Sequence, residues 1–269
     1  MTDDRPAEAR QLLKTGGHKY DHGHLAVIAG AQAGAARLGA RAAMRIGAGL
    51  VTLLPPSDAL ARFHGGPDAL MLHPLNEPGA LDSWCKARKV SAILIGPGCG
   101  IDRAHALLPA VLASPLPAIL DADAITALAA HQGQKLRPDI VLTPHEGEFK
   151  RLCPDLTPTH NPDQRDAVTR EAAQRWNAKL LLKGPVSVIA HPDGTSWRHD
   201  ATDAPQLATA GSGDVLAGLI GGLLARGFDA ALACRLAAWV HAQSASRFGP
   251  GLIADDLPEQ IPALLRELA

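Results

Sequence analysis

Aromatic side chains are scarce: Phe, Trp and Tyr together make up 3% of the 269 residues, although hydrophobic residues of all kinds reach 46%. Packing therefore falls to Ala, Leu, Ile and Val, which suits helices lying close on a sheet. No run of about 18 consecutive apolar residues exists, so no segment reads as a membrane span. Excess charge of one sign is missing too: 26 Lys and Arg face 27 Asp and Glu, a formal net charge of −1. That balance excludes a polybasic nucleic-acid surface and gives no attraction to a membrane. Cysteine is limited to positions 85, 99, 153 and 234, with no Cys-x-x-Cys spacing. A disulfide framework or zinc site is therefore not expected, and a reducing cytoplasm is. The first fourteen residues are polar and lack the apolar core of a secretion signal.

What the chain does contain is an alternation of short apolar runs and Ala-rich stretches. Residues 25–29, 50–54, 92–95, 118–120, 140–142 and 180–182 are continuously apolar and read as strands buried on both faces, the mark of a parallel sheet. Helices are expected over 34–47, 57–63, 80–88, 103–113, 123–131, 145–152 and 163–177. Residues 186–191 and 195–198 flank Pro192-Asp193-Gly194 and predict a hairpin. Beyond 213 the chain reads as helical, with breaks near Gly227 and Gly249-Pro250-Gly251. This order predicts a three-layer α/β/α fold with a mostly parallel central sheet, in one domain over 1–269. In such sheets ligands bind beyond the carboxyl ends of the strands. Gly30, Gly96-Pro97-Gly98, Asp121, Thr143-Pro144-His145 and Lys183-Gly184 all fall at those ends.

Thr209-Ala210-Gly211-Ser212-Gly213-Asp214, followed by Val215-Leu216-Ala217-Gly218, joins glycines, a hydroxyl and a carboxylate at the start of an apolar helix. Glycines let backbone N–H groups approach an anion, and a helix N-terminus favours phosphate. An acid there repels phosphate, so its presence makes sense if it handles a proton beside a phosphoryl group. The helix terminus lowers the pKa of Asp214 and a phosphate raises it, leaving a base that is usually ionised. A plain helix cap is the structural alternative for this residue.

With these residues in place the chain resembles the ADP/ATP-dependent NAD(P)H-hydrate dehydratases of the ribokinase-like superfamily, from about His18 onward. The resemblance rests on Val27-Ile28-Ala29-Gly30, Gly34-Ala35-Ala36-Arg37-Leu38, Gly47-Ala48-Gly49-Leu50-Val51-Thr52 and Ile95-Gly96-Pro97-Gly98. It continues through Leu120-Asp121-Ala122-Asp123-Ala124, Leu142-Thr143-Pro144-His145-Glu146-Gly147-Glu148-Phe149, Leu182-Lys183-Gly184 and the Gly-Ser-Gly-Asp turn. Ala210 stands where the family usually has Gly, and Ser212 and Ser187 where it often has Thr.

The resemblance implies a ribokinase-like fold and a hydro-lyase that dehydrates the S-form of hydrated NADH or NADPH. The reaction is driven by ADP, giving AMP and phosphate, or by ATP. It implies Mg²⁺, a cytoplasmic homotetramer, no N-terminal epimerase domain in this chain, and cooperation with a separate NAD(P)H-hydrate epimerase. Asp214 is then the general base. Ala35, Ala36, Gly98 and His145 contact the hydrated dinucleotide. The stretch Lys183, Gly184, Pro185, Val186 and Ser187, with Gly211, Ser212 and Gly213, holds the nucleotide. Glu148 falls where related kinases hold Mg²⁺ through water.

Simpler readings accompany several of these positions. His145 and Glu148 stand three apart and share a helix face, where His145 also suits a cap. Lys183 is either a phosphate neutraliser or a solvent-facing lysine at a strand end. Asp121 and Asp123 either reach magnesium or substrate or cap the next helix, capping being the expectation for Asp123. Arg37, Arg41 and Arg45 read as a solvated stripe or subunit edge. His22, His24, His73 and His241 show no metal-ligand spacing and are expected to be structural or at the surface. Two other functions fit the same turn: a kinase for a hydroxymethylpyrimidine, hydroxyethylthiazole or sugar, and a nucleotide-binding module without catalysis.

Overall fold

Nine strands form one sheet in the order β3-β2-β1-β4-β5-β6-β7-β8-β9 in a computed structural model that describes residues 5–269. The strands are β1 His24–Ile28, β2 Leu50–Leu54, β3 Met71–Leu72, β4 Ala92–Ile95, β5 Ala118–Leu120, β6 Ile140–Leu142, β7 Lys179–Leu182, β8 Val186–Ala190 and β9 Ser196–Asp200. Pairing is parallel from β3 across to β7; β8 and β9 then run antiparallel as a hairpin at the other edge. The Pro192-Asp193-Gly194 turn is closed by His191 N donating to Thr195 O at 2.9 Å.

The helices are α1 Ala33–Arg45, α2 Leu81–Arg88, α3 Ile101–Ala113, α4 Ala122–Leu128, α5 Glu146–Leu152, α6 Pro162–Trp176, α7 Ser212–Ala225, α8 Ala230–Phe248 and α9 Asp256–Arg266. They cover both faces of the sheet, and alternate residues of β1 show the division. Leu25 and Val27 enter a core shared with α1, α7, α8 and α9. Ala26 and Ile28 point into a second core formed with α2 through α6. Every residue of β1 is buried, which is why 25–28 are apolar without alternation.

Small residues let α7 sit deep in the first of these cores. A Cβ at Gly218 would lie 2.1 Å from the carbonyl oxygen of Gly39 on α1, so the two helices touch backbone to backbone. Polar residues set other ends. The Asn161 side chain accepts from the backbone N–H groups of Asp163 and Gln164, with Pro162 opening α6. Asp229 caps α8 in the same way through Ala231 and Leu232.

The helix expected over 57–63 is present as the 3₁₀ segment Ser57–Phe63, set between Pro55-Pro56 and Gly65-Gly66. The two-residue β3 was too short to signal itself. The arginine stripe on α1 makes pairs within the chain while Arg45 stays exposed: Arg41 pairs with Asp255 at 3.0 Å and Glu259 at 2.8 Å, and Arg45 pairs with Glu259 at 2.5 Å. Arg37 donates to the carbonyl of Gly65 at 2.7 Å. The stripe ties α1 to the C-terminal helix and to a loop of the same chain.

Candidate active site

The carboxyl ends of β1, β4, β5, β6 and β7 lead directly into Gly30, Gly96, Asp121, Thr143 and Lys183. At Gly96, φ is +128° and a Cβ would meet the carbonyl oxygen of Asp121 at 1.7 Å, so the β4 and β5 ends approach as only glycine permits. Gly30 N donates to Gly98 O at 3.1 Å, and a Cβ at Gly98 would stand 3.3 Å from that of Ala35. Ala35 is partly exposed beside this loop, whereas Ala36 is fully buried in the core.

The polar centre lies over β5, β6 and β7. Asp121, 1% exposed, accepts from the Thr143 hydroxyl at 2.9 Å and from Lys183 Nζ at 2.8 Å. Lys183 Nζ is also 3.8 Å from Glu148 Oε2 and would crowd a Cβ at Gly213 at 3.2 Å. The lysine therefore runs under the glycine turn that opens α7 instead of facing solvent. Burial pulls its pKa down, but Asp121, Glu148 and Asp214 together outweigh burial and raise it, so the ammonium is charged.

Asp214 sits in the first turn of α7 and is half-buried. Burial, with repulsion from Asp121 partly offset by Lys183, raises its pKa from 3.8 to about 6. Helix terminus and phosphate alone anticipated a different balance: the protein's own low-dielectric pocket and carboxylates do the raising. The carboxylate still predominates at neutral pH.

His145 and Glu148 form a reciprocal cap on α5. His145 Nδ1 accepts from Gly147 N at 2.9 Å and Glu148 N at 3.2 Å, while Glu148 Oε2 accepts from His145 N at 2.8 Å. With Nδ1 accepting, the neutral ring carries its proton on Nε2, 3.4 Å from Glu148 Oε1. The imidazole itself is exposed. Asp123 does not cap α4. Its Oδ2 accepts instead from Gly100 N at 2.8 Å, tying the first turn of α4 to the glycine loop after β4.

A cavity of about 450 Å³ adjoins the turn. Its wall includes Lys183, Gly184, Pro185 and Ser187 on one side and Ser212 and Gly213 on the other; Val186 and Gly211 are outside it. Two segments nearly thirty residues apart in sequence thus share one concavity. Gly211 instead shapes the turn at φ +91°, packed against Leu38 and Ala254. The Ser212 hydroxyl donates to Leu207 O at 2.7 Å, which fixes the turn from behind.

Sequence reasoning missed His241 as part of this place. The fully enclosed ring lines the cavity and donates from Nε2 to Ser212 O at 2.9 Å. Burial pushes its pKa down to about 4, so it is neutral. It lies in the middle of an Ala-rich helix with no partner nearby in sequence, so no local signal announced it. Its companions on the earlier list are structural: His24 is buried against Thr52 Oγ1 at 2.8 Å and Arg88 O at 2.9 Å, and His73 stacks on Trp84. Among the described residues, no three or more His, Cys, Asp or Glu side chains converge on a metal position. All four cysteines are free and buried. No helix among the described residues is long and apolar enough to cross a membrane.

Comparison with known proteins fits this geometry. The NAD(P)H-hydrate dehydratase family matches over residues 25–262. The bifunctional NAD(P)H-hydrate repair enzyme Nnr of Synechocystis is 43% identical over 242 residues, covering 84% of this chain and 44% of that protein. The Moorella thermoacetica Nnr is 36% identical over 275 residues, covering 94% and 51%. The chain thus spans about half the length of the curated relatives it matches. The ADP/ATP-dependent NAD(P)H-hydrate dehydratase of Bacillus subtilis, co-crystallized with ATP/Mg²⁺, superposes with a TM-score of 0.79 at 26% identity, covering 97% of this chain and 96% of that one. Arabidopsis thaliana ribokinase shares the fold, with a TM-score of 0.62 at 14% identity over 91% and 99% of the two chains.

Proposed function

The chain belongs to the NAD(P)H-hydrate dehydratase family, and we propose that it dehydrates the S-form of hydrated NADH or NADPH at the expense of ADP or ATP. The observation that carries this reading is Asp214: a carboxylate with a pKa near 6, next in sequence to Ser212 and Gly213, which line a cavity of nucleotide size. A module that only bound phosphate would gain nothing from a partly desolvated acid at that spot.

In this reading the nucleotide lies in the cavity against Lys183, Gly184, Pro185 and Ser187, with Val186 as backbone support. Its phosphates face the turn of Gly211, Ser212 and Gly213 at the N-terminus of α7. The hydrated ring lies over Gly98 and Ala35, supported by Ala36 beneath, with the exposed His145 imidazole beside the dinucleotide. Asp214 takes the proton of the ring hydroxyl as that oxygen bonds to the terminal phosphorus and the phosphoanhydride bond breaks, releasing AMP when the donor is ADP. The ring C–O bond then breaks with its electrons leaving on phosphate, and loss of a neighbouring C–H proton restores the double bond. Positioning dominates such a transfer, so a base of moderate strength suffices.

The donor set fits a magnesium ion that arrives with the nucleotide. Glu148 Oε1 has only the His145 ring beside it, and no all-protein cage is present among the described residues. Glu148 would hold such an ion through water, and the ion would neutralise phosphate charge. Assembly as a homotetramer, a cytoplasmic setting and joint action with an NAD(P)H-hydrate epimerase belong to the same proposal.

Incubating the protein with hydrated NADH and hydrated NADPH, each with ADP and with ATP, tests the reading. Return of reduced-nicotinamide absorbance together with phosphate release is the expected result. A stable phosphorylated product of a pyrimidine, thiazole or sugar alcohol, with no effect on either hydrate, would move the assignment to a kinase.

A further inference from the structure

Arg165 of α6 is 5% exposed, although it sits in the polar run Asp163-Gln164-Arg165-Asp166. Its guanidinium spreads over three partners. Nη2 donates to Lys183 O at 2.8 Å, Nε to Val186 O at 3.2 Å, and Nη1 to Glu146 Oε1 at 2.7 Å. The two carbonyls bracket the turn between β7 and β8. Inside the bracket, Gly184 N donates to Ser187 Oγ at 3.3 Å. Gly184 has no side chain because a Cβ there would meet Arg165 Nη2 at 2.6 Å.

We propose that Arg165 is a positioning residue that clamps the Lys183–Ser187 turn in the shape the nucleotide requires. This rests on the reading above, in which that turn holds the donor. A buried cation is retained at a cost unless its hydrogen bonds are needed, and only a planar fork reaches two carbonyls and a carboxylate at once. Lysine, a single point donor, cannot replace it. The Glu146 end supplies the counter-charge. The start of α5 needs no help from Arg165, because His145 and Glu148 already cap it reciprocally. The clamp therefore acts on the nucleotide side and not on the hydrated-dinucleotide side.

Two variants test it, Arg165→Lys and Glu146→Gln, the second removing the counter-charge while leaving the guanidinium in place. For each, ADP affinity is read directly by calorimetry, and KM for ADP, KM for the hydrated cofactor and kcat are read by assay, with thermal melts to establish folding. Losing hydrogen bonds to a charged group predicts that Kd and KM for ADP rise about tenfold. KM for the hydrate and kcat at saturating ADP should change less than about threefold. A folded Arg165→Lys protein with unaltered ADP affinity, or one in which both KM values rise and kcat falls together, would overturn the clamp; if that variant does not fold, Glu146→Gln decides on the same readings. Should wild-type protein bind ADP but dehydrate neither hydrate, the Kd comparison still decides the clamp while the dehydratase reading fails alone.

Discussion

Lys183 Nζ lies 2.8 Å from Asp121 Oδ1, so the ammonium beneath the glycine turn is engaged by a buried carboxylate of the protein itself. Its charge reaches Asp214 as part of a fixed set that also holds Glu148 and Asp123. Burial first, and then the excess of carboxylates over cations in this set, lift the candidate base above the ordinary aspartate range.

Removing the cation should therefore do more than loosen a lysine. Lys183→Met leaves Asp121 buried with only the Thr143 hydroxyl, and the protein should lose about 3 kcal/mol of unfolding free energy, the usual cost of breaking a buried pair from one side. Asp214 loses its one attractive neighbour, so the pH at which activity is half-maximal should move upward. Urea unfolding and a pH–rate profile on the same variant check both effects.

The pH dependence of the proposed activity follows from the same residue. Asp214 must be ionised to accept a proton, so kcat/KM should rise with pH through about 6 and level above it. The sign for stability is opposite. An acid whose pKa goes from 3.8 unfolded to about 6 folded favours the fold while protonated, below 3.8, and that contribution disappears as pH rises through 6. Asp214→Asn should accordingly be more stable than wild type by about 1–2 kcal/mol above pH 6 and no more stable at pH 3. Denaturant melts at the two pH values measure this.

Close helix packing carries Asp214 into place, so it is open to a steric test. Gly218→Ala would drive a methyl to 2.1 Å from Gly39 O and push α7 away from α1. The expected cost is about 2–3 kcal/mol, with activity falling more than nucleotide affinity because the carboxylate moves with its helix. Gly34→Ala, whose Cβ meets nothing within 4 Å, serves as the control and should leave stability nearly unchanged.

The parts of this arrangement differ in how legible they are in sequence. Residues 25–28 are apolar at every position because both faces of β1 are covered, and the parallel sheet can be read from that alone. Gly96, Asp121 and Lys183 announce themselves as polar or glycine residues ending apolar strands. Arg165 does not: set among Asp163, Gln164 and Asp166 it has the look of a solvated helix face, and only the return of the β7–β8 turn over α6 buries it. The pairing of Arg41 with Glu259 spans 218 positions, beyond any local pattern. Asp123 bonds to Gly100 N across 23 positions, which no local pattern announces in a run that otherwise suits a capped helix.

The most direct measurement is the Asp214→Asn variant assayed for hydrate dehydration and for ADP binding together. A proton acceptor at this position is worth about a thousandfold in rate; turnover should fall by that order while the Kd for ADP stays within about threefold of wild type. A folded variant that dehydrates the hydrate at an undiminished rate would contradict the account.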